Sequence, residues 1–95
     1  MAIHPPDYLK GEKQIEKFNH FAAMLESAGM MTELDADCLA RYIMSEQLYL
    51  QYTAQLTKLI KENDLDAVRA MQALQDKAFK QCQKCAKDLG LNKLL

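Results

Sequence analysis

The sequence predicts an all-α fold: a short N-terminal helix followed by a long antiparallel helical hairpin, oligomerising. Three observations carry that expectation. Apolar residues recur at intervals of three and four along most of the chain, the period of one face of a helix. Only three glycines and two prolines occur in 95 residues, and none interrupts a periodic stretch. A polar triplet, Glu62-Asn63-Asp64, divides the longest periodic stretch in two.

The elements follow in order. Pro5 and Pro6 forbid helix at the start, so residues 1–10 are expected to form an extended N-terminal arm. Residues 11–91 are expected to form a single helical domain, with a tail over 92–95. The first helix spans about 12–28, with Ile15, Phe18, Ala22 and Leu25 on its apolar face and Phe21 and Met24 beside them. Gly29 closes it in the left-handed conformation that glycine adopts without steric penalty.

A second helix, about 33–61, opens at Thr32, whose hydroxyl can accept an orphan backbone N–H, with Glu33, Asp35 and Asp37 near the positive end of the helix dipole. Cys38, Tyr42, Ser45, Tyr49, Tyr52, Leu56 and Leu59 repeat along it at alternating steps of four and three, a heptad-like seam. Asp64 caps a third helix, about 65–89, which Gly90 ends. Its seam is Val68, Met71, Gln75 or Leu74, Ala78, Cys82, Cys85 and Leu89. Two such helices make a hairpin on the order of 40 Å long. It is too slender to bury both apolar faces, and with Leu39, Ile43, Leu50 and Phe79 flanking the seam, neighbouring subunits are the expected source of further burial.

Composition limits the function. Hydrophobic residues make up 49% and charged residues 26%, the range of a folded globular chain. Net charge is −1, which excludes the basic balance of a dedicated nucleic-acid coat but hides an asymmetry. Residues 67–95 carry six Lys/Arg against two Asp/Glu, whereas residues 1–66 carry six against eleven. No apolar stretch is long enough to cross a bilayer, and the start lacks a signal-peptide pattern, so a cytosolic location is expected.

Motifs that carry catalytic chemistry are missing: no phosphate-binding glycine loop, no nucleophile elbow, no histidine set against paired carboxylates. Cys82 and Cys85 have the spacing of a metal or redox pair, but three residues apart on a helix they share the packing face, and Cys38, His4 and His20 are the only candidates to complete a zinc site. Small core residues are the expected reading, with no metal and no cofactor.

Lys77, Lys80, Lys84 and Lys87 step by three, four and three, forming a basic stripe about 15 Å long that could follow phosphates. Asp76 and Asp88 can pair with Lys80 and Lys84, which would make the stripe a solvated face. Lys10, Lys13 and Lys17 form a smaller cluster interleaved with Glu12 and Glu16. Tyr42, Tyr49 and Tyr52, with Leu56, Leu59, Met71 and Phe79, are expected in packing or oligomer contacts, not as a base-stacking platform.

The order of these features resembles a known family. A Pro5-Pro6-Asp7-Tyr8-Leu9 arm, an amphipathic helix ending in glycine, Met31-Thr32-Glu33-Leu34-Asp35 opening a helix with Leu39 and Tyr42, and a final Ala86-Lys87-Asp88-Leu89-Gly90-Leu91 together resemble the P27-type phage terminase small subunits, over about Pro5 to Leu91. Two features depart from the family pattern. The flexible segment between the long helices shrinks to Glu62-Asn63-Asp64, and Asn92-Lys93-Leu94-Leu95 stands where a Pro-Ser-Arg-like tail usually follows.

The resemblance implies a non-enzymatic subunit of a DNA-packaging motor. It would form a ring, bind double-stranded viral DNA, and recruit and regulate the large ATPase-nuclease subunit, in the cytoplasm of a bacterial host, encoded by phage or prophage. No membrane partner and no small-molecule substrate are implied. A helical adaptor that never meets DNA is the competing reading, favoured by the near-neutral charge.

Overall fold

The computed structural model describes residues 3–91, three α-helices with no strand among the described residues. Helix α1 runs Glu12–Ser27, α2 Ala36–Lys61 and α3 Leu65–Leu89. The tail expected over 92–95 lies outside the described residues.

Local chemistry fixes each boundary. At the end of α1, Gly29 takes φ +71°, its N–H donates to the Glu26 carbonyl at 3.0 Å, and Met30 N–H donates to the Leu25 carbonyl at 2.9 Å. These two bonds complete a Schellman motif. Thr32 then starts the next segment: its hydroxyl accepts from Leu34 N–H at 3.3 Å while its own N–H donates to the Asp35 carboxylate at 3.0 Å. This reciprocal box holds Glu33–Asp35 as one tight 3₁₀ turn, and the α-helix proper begins at Ala36.

At the other end of α2, Asn63 is the left-handed residue, at φ +58°, with Asn63 N–H on the Ile60 carbonyl and Asp64 N–H on that of Leu59. The Asp64 carboxylate caps α3 by accepting from Ala67 N–H at 3.2 Å. Gly90 ends α3 at φ +76°.

α2 and α3 form the antiparallel hairpin, and α1 packs against the first half of α2. Phe18, Ala22 and Leu25 of α1 share one core with Leu39, Ala40, Tyr42 and Ile43 of α2 and with Cys85 and Leu89 of α3. The N-terminal segment belongs to that core: Ile3 and Leu9 are buried within it, and the Tyr8 hydroxyl donates to the Asp37 carboxylate. Leu91 closes it from the other terminus.

The core therefore sits at one end of the hairpin. Beyond Ser45 in α2 and before Ala78 in α3, no described residue is fully buried. The dimensions, 51 × 26 × 18 Å, and a radius of gyration of 15.4 Å describe an elongated molecule; a compact chain of this length would have about 12 Å.

Candidate functional site

Helical register decides what α3 shows to solvent. Ala78, Cys82, Cys85 and Leu89 fall on its inner side, and Lys77, Lys80, Lys84 and Lys87 fall within an arc of about 80° on the outer side. All four lysines are exposed. The Lys80 ammonium pairs with Asp76 at 3.2 Å, both side chains largely in water. No such pair joins Lys84 to Asp88 among the described residues. An exposed pair of this kind is worth well under about 1 kcal/mol and leaves Lys80 available to a phosphate.

The smaller cluster is divided. Lys10 and Lys13 are exposed, but Lys17 reaches across to α2 and pairs with Glu46, whose second carboxylate oxygen accepts from the Tyr42 hydroxyl at 3.4 Å. Lys17 is thus a tie between α1 and α2, and its partner is on another helix, not among the interleaved glutamates. Only spatial proximity, invisible in the periodicity, reveals it.

The aromatic and aliphatic positions of the seam fall along a gradient. Tyr42 is buried, with its ring edge-on to Phe21 at 5.9 Å. Tyr49, Tyr52, Leu56, Leu59 and Met71 are half-buried between the helices. Phe79 is exposed on one flank, its ring 5.5 Å from that of Tyr49. Gln75 donates to the Thr53 hydroxyl at 3.0 Å, a polar clasp in the loosely covered half.

The three thiols meet where α2 and α3 join the core. Cys38 Sγ donates to the Cys85 carbonyl at 3.8 Å. Burial, and then the neighbouring Cys85, push the Cys38 thiol up to about 11; burial also raises Cys82. Raised in this way, the Cys38 and Cys82 thiols are poor nucleophiles near neutral pH.

On the side of the hairpin away from α1 lies an open groove of about 380 Å³, floored by Met44, Leu48, Tyr52 and Leu74 and flanked by Arg41 and Lys77. No carboxylate lines it. The seam periodicity could not show it, because Met44 and Leu48 lie off the seam and Leu74 entered it only as the alternative to Gln75. Lys77 borders the groove and also begins the basic stripe, so the two surfaces are continuous.

No helix among the described residues is long and apolar enough to cross a membrane. A family model described as "Phage terminase, small subunit" matches residues 15–93. No curated protein and no solved structure matches the chain.

Proposed function

The chain belongs to the phage terminase small subunit family, and from that premise we propose that it is the non-enzymatic, self-assembling subunit of a DNA-packaging motor, binding viral duplex DNA through α3 and recruiting the large ATPase-nuclease subunit in the bacterial cytoplasm. The observation that carries the DNA reading is the outward stripe Lys77, Lys80, Lys84 and Lys87. Its length of about 15 Å matches several phosphates along one strand. Lysine offers point charges without the bidentate fork of arginine, so these contacts position the duplex and do not read bases. One copy holds only a few such contacts; assembly multiplies them by raising the effective concentration of the next stripe. Lys10 and Lys13, exposed at the start of α1, are the second candidate surface.

The test is a DNA titration at several salt concentrations with the parent chain and a Lys80→Gln, Lys84→Gln, Lys87→Gln variant. Lys77 stays in place because it also borders the groove. Parent affinity is expected to fall steeply with salt, and the variant to lose up to about 0.9 of logarithmic slope for each phosphate contact removed. Equal binding by both would reduce the stripe to a solvated face. No binding by the parent at low salt would leave the second reading, a helical adaptor, which the net charge of −1 favours.

A further inference from the structure

One residue has no role in its own fold. Leu34 is 93% exposed, more than any other large hydrophobic side chain among the described residues. It stands between Glu33 and Asp35 in the 3₁₀ turn that the Thr32–Asp35 capping box holds rigid. The backbone of the turn is already set when this knob meets a partner, which lowers one of the usual costs of association.

The groove has the complementary character. Met44, Leu48 and Leu74 remain 39%, 42% and 44% exposed there, in apolar contact with one another's surroundings but with nothing above them. Its flanks are cationic and it carries no acid. Arg41 is already engaged by Asp37 at 3.0 Å, whereas Lys77 has no ion-pair partner among the described residues. Register on α2 puts Met44 and Leu48 about 140° around from Leu39 and Ile43, the side that α1 covers, so α1 leaves the groove open.

We propose that the groove receives a second copy of this chain: Leu34 of one copy seats against Leu48 and Leu74 of the next, with Glu33 facing Lys77. Charge complementarity points to this occupant: Glu33 beside the knob and Lys77 beside the floor are both exposed, and neither has an ion-pair partner among the described residues, whereas Asp35 and Arg41 are already engaged. A copy cannot fill its own groove. Leu34 and Leu48 are separated along continuous helix by about 20 Å.

Knob and groove are different surfaces, so the contact is heterologous and each joined pair keeps one knob and one groove free for further neighbours; a rotation that closes gives a ring. Because Lys77 belongs to both groove and stripe, every contact also places the basic stripes of adjacent copies in a fixed relation. The inference rests on the assembly part of the function proposed above and supplies its contact.

Sedimentation of the parent, Leu34→Glu, Leu48→Glu and an equimolar mixture of the two variants tests it, with circular dichroism confirming helix content. The parent is expected at several times 10.9 kDa. Each variant alone should weaken association by about tenfold or more, the loss expected for a central anchor. The mixture should form pairs and stop there, because one intact knob and one intact groove make a single contact.

Lys77→Glu, at an exposed position, gives an independent groove variant; it should weaken assembly and be rescued by Glu33→Lys. A Leu34→Glu chain that keeps the parent mass overturns this contact alone. A mixture that stays monomeric overturns the knob-and-groove pairing. A monomeric parent overturns both the contact and the assembly reading, while leaving the DNA titration to decide the rest.

Discussion

Cys38 shows how burial turns a reactive side chain into a structural one. With its thiol pushed up to about 11 from an ordinary value of 9.0, the folded state keeps its proton over a range where the unfolded chain loses it. The native state then binds more protons than the unfolded state between those two values, so stability falls as pH rises through that window and is fully present below it. The raised Cys82, Tyr8 and Tyr42 act in the same direction. Thermal melts are expected to be level up to about pH 8.5 and to decline above pH 9, with a shallower decline in Cys38→Ala; a melting temperature that rises across that range would contradict the assignment. The same contrast in burial separates two apolar residues. Phe18 is fully buried in the three-helix core, so Phe18→Ala should cost about 3–5 kcal/mol. Leu34→Ala should stay within about 0.5 kcal/mol for the single chain, because that side chain is already in water. Chemical denaturation of both variants at dilution measures the difference.

Helix ends set the hairpin, and the turn between α2 and α3 is the sharpest case. Three residues reverse the chain, with Asn63 bearing the left-handed conformation and Asp64 capping the next helix. Asparagine tolerates that conformation better than most residues, but glycine removes the Cβ conflict altogether. Asn63→Gly is expected to stabilise by about 0.5–1 kcal/mol, and Asp64→Ala to destabilise by about 1 kcal/mol through the orphaned N–H of Ala67. For a chain of this size each should move the melting temperature by several degrees, in opposite directions. The three helices and the hairpin were legible because their signals are local: Thr32, Asp64 and the glycines punctuate strong three-and-four periodicity. What was not legible depends on distance in sequence. Lys17 finds Glu46, Tyr8 finds Asp37, and Ile3 and Leu9 of the Pro-Pro arm enter the core, each through contacts 29 or more residues away or at the opposite face of the fold. A periodic pattern states which face is apolar; it does not state what covers that face. The stripe of lysines could be read from spacing alone, whereas the groove beside it needed two helices to be placed side by side.

At the scale of the whole molecule, the decisive feature is that the core lies at one end. Arm, α1, the first half of α2, the last part of α3 and Leu91 enclose it, and the remaining half of the hairpin projects with its seam only partly covered. Tyr49, Tyr52, Leu56, Leu59 and Met71 therefore keep apolar surface in contact with water, and Leu50, Ile60, Leu65 and Phe79 are outright exposed. A helical pair with so few buried contacts opens locally at lower cost than the enclosed end, since local stability follows the burial of the region that opens. Amide exchange at a concentration low enough to favour single chains is accordingly expected to run faster through about 50–75 than through 38–45 and 82–89. Raising the concentration until copies associate should slow exchange around the groove, at about 41–52 and 74–81, and in the turn that carries Leu34, because those are the surfaces the proposed contact covers. Uniform protection along both helices at dilution would mean that the hairpin is self-sufficient, and the projecting half would then need no neighbour to be stable.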